Sequence, residues 1–229
     1  MNETRANAPA PLLGSLIIIS AACLFALLGP ISRFAYELGV SPYAFVAWRS
    51  GVAAIAIWLL VWIGLRRGGR LVGWRSLPPR DRVALGVAAL AGASLDATMF
   101  LAYERVPVAI VLLGFYLFPA MVAAASAVLG WEPIDRGRGL ALLVALGGMV
   151  AVVVGGEGAA GIGSLDPLGI VLAIGSAVSQ AVFILVSRSG YRQVPTDQAM
   201  GVVLPVSATL GIGLAIISGR LADVWVPFS

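Results

Sequence analysis

Gly14–Tyr36 reads GSLIIISAACLFALLGPISRFAY, and Gly169–Tyr191 reads GIVLAIGSAVSQAVFILVSRSGY. Each stretch is apolar almost to its end, and each closes on S-R-x-x-Y. A helix that crosses a bilayer needs about 20 mainly apolar residues, and both stretches supply them. They align at one offset, 169 minus 14, or 155 residues: Gly14 with Gly169, Ile19 with Ile174, Ala22 with Ala177, Ala26 with Ala181, Ser32-Arg33 with Ser187-Arg188, Tyr36 with Tyr191. Matches among Gly, Ala and Ile come cheaply in membrane segments; the shared S-R-x-x-Y carries the information.

Working outward from this pair, seven apolar runs emerge, at roughly 12–32, 41–65, 83–103, 106–129, 139–156, 167–187 and 198–219. The chain is 60% hydrophobic and 11% charged, with a mean hydropathy of +0.98. Soluble domains carry about 25% charge, so the composition predicts an all-α membrane protein, a multi-helix transmembrane bundle of about seven helices. The first run is too long for a signal peptide and ends in Gly29-Pro30 without a small-x-small cleavage site, so it reads as a helix.

Arginine placement predicts the orientation. Arg66, Arg67, Arg70, Arg75, Arg80 and Arg82 crowd between the second and third runs. If that side is cytoplasmic, alternation puts Arg5, Arg136, Arg138, Arg188 and Arg192 there too and leaves Arg33, Arg105 and Arg220 outside, eleven against three, with Arg49 inside a helix. The N-terminus is then cytoplasmic. The basic 66–82 segment with Trp74 is a topology signal with an interfacial anchor, or a site for anionic headgroups.

The 155-residue offset contains five helices, an odd number, so the second copy enters from the opposite side. Residues 1–160 then form one five-helix unit, and 161–229 begin a second, inverted unit with two helices. Three further helices would complete it, so the chain is expected to be a piece or a short form of a ten-helix protein, or to need a second copy in a homodimer. Inverted repeats are a transporter device, exchanging conformations about a central site.

All fifteen basic residues are arginines, and His is absent. No lysine Schiff base, no His general base and no His metal ligand is available in this chain. The single cysteine, Cys23, excludes a disulfide or a multi-Cys metal site within one chain. No cofactor, metal or nucleic-acid partner is expected. Gly156–Gly161 matches G-x-G-x-x-G, but that fingerprint needs a strand before it and a helix after it; here it links two membrane runs and reads as a flexible loop.

S-P-Y-A-F-V-A-W-R-S-G (Ser41–Gly51), Y-L-F-P-A (Tyr116–Ala120), Glu132 and the R-G-L-A-L-L-V-A-L-G-G that begins at Arg138 resemble the EamA branch of the drug/metabolite transporter superfamily. The resemblance implies two five-helix units with both termini cytoplasmic, a small-molecule substrate, and residence in the lipid bilayer of the plasma membrane, the bacterial inner membrane among such membranes.

Within the runs a few residues could carry chemistry. Arg49 and Asp96 lie about 10 Å and about 9 Å from the same end of their helices by the helical rise. A charge at that depth costs roughly 2.5–3.5 kcal/mol on insertion scales, so such residues face a cavity or a partner. The two form a salt bridge, or Asp96 binds a proton or a cationic substrate. Pro119 and Pro205 each free a carbonyl one turn back, which is architectural or faces a wet cavity. Tyr116 and Gln180 are polar groups near the bilayer centre, pocket residues or interhelical hydrogen bonders. Trp48 stacks a cationic or planar ligand, or faces lipid. Together these features predict a secondary active transporter of small metabolites or drugs, an exporter working by alternating access and coupled to a proton or an exchanged solute. The alternatives are a non-transporting assembly subunit and an intramembrane enzyme. Lack of His and of paired carboxylates within one helix weighs against the enzyme.

Overall fold

The computed structural model describes residues 11–131, 136–155, 166–220 and 223. Arg5, Glu132 and the Gly156–Gly161 loop lie outside them. The described elements are α1 (Pro11–Glu37), α2 (Pro42–Arg66), α3 (Pro79–Arg105), α4 (Val108–Phe115), α5 (Phe118–Val128), α6 (Arg136–Gly155), α7 (Pro167–Ser189) and α8 (Thr196–Ile217), with a 3-10 turn at Trp74–Ser76. No strand occurs among the described residues, and the fold is an all-α membrane bundle. Proline marks the helix starts: Pro42, Pro79 and Pro167 stand in the first turns of α2, α3 and α7, where the missing N–H would have no helical partner anyway. Ser41 and Asp166 cap α2 and α7 by accepting from the N–H groups of Ala44 and Leu168.

Six spans are long and apolar enough to cross a membrane: α1, α2, α3, the α4–α5 pair, α7 and α8. The fifth apolar run forms α6, Arg136–Gly155. The fourth run is one stretch in sequence but two helices in space. Pro119 offers no N–H to the Phe115 carbonyl, and just before it the Leu117 N–H bonds three residues back, to Gly114 O at 3.3 Å. Helix α4 therefore stops at Phe115 and α5 restarts at Phe118.

Lipid tails are as apolar as leucine, so helices in a membrane associate through close packing and hydrogen bonds rather than through the hydrophobic effect. Small residues do this work here. Helix α3 runs through the middle, packed on α7, α8, α2 and α1, and buries Ala88, Ala89, Ala91, Gly92, Ala93 and Ala97. A methyl group on Gly92 would stand 2.7 Å from Val203 Cγ1. Helices α2 and α8 pack antiparallel along a long seam. A methyl on Gly211 would come within 2.9 Å of Ala47 N and 3.1 Å of Tyr43 O, backbone atoms that cannot step aside, so only glycine permits the approach. An aromatic cluster fills the end near Arg105: Phe100 and Tyr103 are buried, with ring centroids 5.6 Å apart, and Phe45 lies 5.0 Å from Phe100.

The two ends of the bundle are tied differently. At one end, the arginine-rich link between α2 and α3 is held to the first turn of α8: the Val72 N–H donates to Gln198 Oε1 at 2.9 Å, and Gln198 Nε2 donates to Arg70 O at 2.8 Å. At the other end Arg105 pairs with Asp166 at 2.8 Å, Arg33 donates to Val106 O at 2.6 Å, and Arg220 reaches Glu104 at 3.5 Å. The 155-residue offset carries α1 onto 166–192 and α2 onto 197–221, within a few residues of the ends of α7 and α8.

Candidate functional site

Arg49 on α2 and Asp96 on α3 meet. A guanidinium nitrogen, Arg49 Nη2, contacts Asp96 Oδ1 directly, and both side chains are mostly buried, 26% and 18% exposed. The opposite carboxylate oxygen, Oδ2, accepts a short hydrogen bond from the Ser207 hydroxyl of α8. The Ser50 hydroxyl lies 3.2 Å from Ser207 Oγ and 3.4 Å from Asp96 Oδ2. Having one proton, it can serve only one of them at a time. Arg49 Nη2 also lies 3.4 Å from Ser50 Oγ. Ser50 and Ser207 are fully buried. The Arg49 guanidinium covers the Phe100 ring, 5.2 Å from its centroid. Arg49 Nε is buried with no acceptor among the described residues.

Local structure explains how α8 delivers Ser207. Pro205 has no N–H for Gly201 O, the carbonyl four residues back. That orphan carbonyl accepts from the Trp58 indole Nε1–H of α2 at 2.9 Å. Gly201 leaves room for the ring; a methyl there would stand 3.2 Å from Trp58 Cε2. The carbonyl freed by Pro205 is thus satisfied by a side chain from the facing helix, and two residues further on Ser207 donates to Asp96.

Of the residues singled out from sequence, Arg49 and Asp96 come together, and Pro205 sits beside their third partner. Pro119 breaks α4 from α5. Tyr116 occupies that break, 38% exposed, with its ring 5.4 Å from Phe115 and 6.3 Å from Phe118. Gln180 is half-buried on α7, and Trp48 is half-buried beside Arg49. Among the described residues neither Tyr116 nor Gln180 forms a hydrogen bond to the Arg49–Asp96 pair. Ser50, Ser207 and Trp58 are additions from the structure. Ser50 adjoins Arg49, and Gly201 is Pro205 minus four, so both signals were present in the sequence; Ser207 has none. Outside the spans, Asp166 is held below the ordinary carboxylate range, chiefly by its hydrogen bond from Arg105 and then by the Leu168 N–H.

The arrangement is a fixed cation and a carboxylate inside the membrane, joined to a hydroxyl on a third helix. It can exchange a proton, a cation or a hydrogen-bonding solute for one of its own members. Among the described residues no group of three or more metal-ligating side chains occurs. A family model described as EamA-like transporter family matches residues 12–154, well over half of the chain. No curated protein and no solved structure matches.

Proposed function

The chain belongs to the EamA-like transporter family, a family of integral membrane transporters, and from that premise we propose that it is a secondary active exporter of small metabolites or drugs. Its centre is the Arg49–Asp96 pair, and it works by alternating access. The observation that carries this reading is the bond from Ser207 of α8 to Asp96 of α3. If residues 1–160 and 161–229 are two units of an inverted repeat, this bond crosses from one unit to the other. Rocking of α7 and α8 against the rest then breaks it. A solute hydroxyl or amine takes the place of Ser207, and Arg49 Nε, buried without an acceptor among the described residues, offers a donor to a solute carbonyl or carboxylate. A proton or a cationic solute on Asp96 competes with Arg49 for the carboxylate, which couples occupancy to charge. Trp48, Tyr116 and Gln180 are further pocket groups in this reading.

The same reading places the N-terminus and the arginine-rich 66–82 segment on the cytoplasmic face of a plasma membrane, by the arginine imbalance and the family resemblance, with a bacterial inner membrane as the setting. A homodimer is part of the same reading.

The test is proton movement in proteoliposomes of the purified chain, presented in turn with amino acids, organic cations and nucleosides. At least one solute class drives proton flux in the parent chain. Asp96→Asn abolishes that flux, whereas Asp166→Asn, at the end of the bundle, keeps it. Undiminished flux in Asp96→Asn removes the proposed centre.

A further inference from the structure

We propose a second binding site, for the phosphate of an anionic phospholipid, at the end of the bundle that carries the arginine-rich link and far along the helices from the Arg49–Asp96 centre. A cavity of about 520 Å³ opens there, lined by Arg80, Trp131, Arg188, Ser189 and Arg192. The lining comes from three places: the first turn of α3, the residues just past α5, and the end of α7 with the turn after it. Three guanidinium groups, one from α3 and two from the end of α7 and the turn after it, therefore share one cavity. Their planar forks match phosphate oxygens two at a time, which an ammonium cannot do.

The groups are oriented. The Arg188 guanidinium lies over the Trp131 indole, 5.9 Å from the ring centroid. Arg192 Nε donates to Arg188 O at 3.4 Å. Ser189 is committed to Leu185 O at 3.0 Å, so the arginines supply the recognition. Among the described residues, the acid next to this lining in sequence is Asp81, flanked by Arg80 and Arg82.

Two further features select a lipid over a free phosphate. The cavity sits where the apolar spans end, and Trp131 occupies the interfacial level that tryptophan favours. Immediately before Trp131, Val128 is 89% exposed and Leu129 54% exposed. Exposed apolar surface therefore lies next to Trp131 at the end of α5, where the acyl chains of a lipid would lie. A soluble phosphate has no use for it. The site does not depend on the transport reading, and its test needs no substrate.

Native mass spectrometry of the full chain released from nanodiscs, with phosphatidylglycerol set against phosphatidylcholine, reads the preference directly. The parent chain retains phosphatidylglycerol. Arg80→Gln with Arg192→Gln reduces that retention by about fivefold for each arginine, the weight of one basic residue at an anionic surface. Arg70→Gln with Arg75→Gln removes the same charge from the neighbouring link and leaves retention unchanged. Trp131→Phe keeps every charge; in nanodiscs holding brominated phosphatidylglycerol it removes the preferential part of the tryptophan quenching. Equal losses in both arginine pairs would reduce the site to a diffuse surface field. Displacement of the lipid by millimolar inorganic phosphate would assign the cavity to a soluble anion instead. A parent chain with no phosphatidylglycerol preference overturns the proposal outright.

Discussion

Removing one member of the Arg49–Asp96 pair should cost more than removing both. Asp96→Asn keeps an oxygen that can accept the Ser207 hydroxyl but takes away the charge opposite Arg49; Arg49→Gln does the reverse. A lone charge at the centre of a membrane helix costs roughly 2.5–3.5 kcal/mol on insertion scales, and breaking a buried ion pair costs about 3–5 kcal/mol. The two side chains keep 26% and 18% of their surface, so the lower end applies, about 2–3 kcal/mol for each single substitution. The double variant places Gln against Asn, two neutral groups able to hydrogen-bond, and should lose no more than about 1 kcal/mol. A chain of this size shifts its midpoint by about 2–4 °C per kcal/mol. Thermal unfolding in detergent, followed by tryptophan emission, should therefore show each single variant lowered by roughly 5–10 °C, with the double variant close to the parent. Coupling of this size is what residues in direct contact display. Additive losses in the double variant would mean that the two charges do not compensate one another, and the site as described would fall.

Three further outcomes follow from particular contacts. Trp58→Phe leaves Gly201 O without its donor and should cost about 1–3 kcal/mol. In a Pro205→Ala background, where the restored N–H serves that carbonyl, the same change should cost much less, and equal costs in the two backgrounds would deny the role given to the indole. Gln198→Ala frees Arg70 O and the Val72 N–H, two hydrogen bonds of about 1 kcal/mol each; trypsin should then cut at Arg70 and Arg75 at least tenfold faster, and an unchanged rate would mean that the link is held by other contacts. Asp166 has its folded titration lowered by Arg105, so the stability this pair contributes is present above the ordinary carboxylate range and is lost as pH falls through the lowered folded value. The difference in midpoint between the parent chain and Arg105→Gln should accordingly be present near neutral pH and vanish in acid, and a difference that persists in acid would contradict the assignment.

The membrane fold was open to reading because a bilayer imposes one length on every span, and the apolar runs meet it without help from tertiary context. The Arg49–Asp96 pair was open for the same reason: a charge at depth needs a partner, and only two such charges stand at matching depth. What stayed hidden depends on contacts between helices. Serine is ordinary in membrane helices and often bonds its own backbone, as Ser32 and Ser176 do here, so nothing singled out Ser207. The carbonyl freed by Pro205 was evident, but that Trp58 satisfies it follows only from the antiparallel seam of α2 and α8. Pro119 announced a bend, whereas the full break at Tyr116 and Leu117 needed the change to three-residue bonding just before it.

The central claim is that the place where Asp96 meets Ser207 opens in turn to the two faces of the membrane, and a measurement that needs no knowledge of the substrate addresses it. In a Cys23→Ala background, Ser207→Cys supplies a single thiol at a position that is fully buried in this structure. Its alkylation by a charged, membrane-impermeant reagent can be followed from either side of sealed, orientation-sorted vesicles. Alternating access predicts reaction from both sides, with the ratio of the two rates shifting when the pH gradient is reversed. A thiol that stays protected from both sides, or that reacts from one side alone under every gradient, would contradict it.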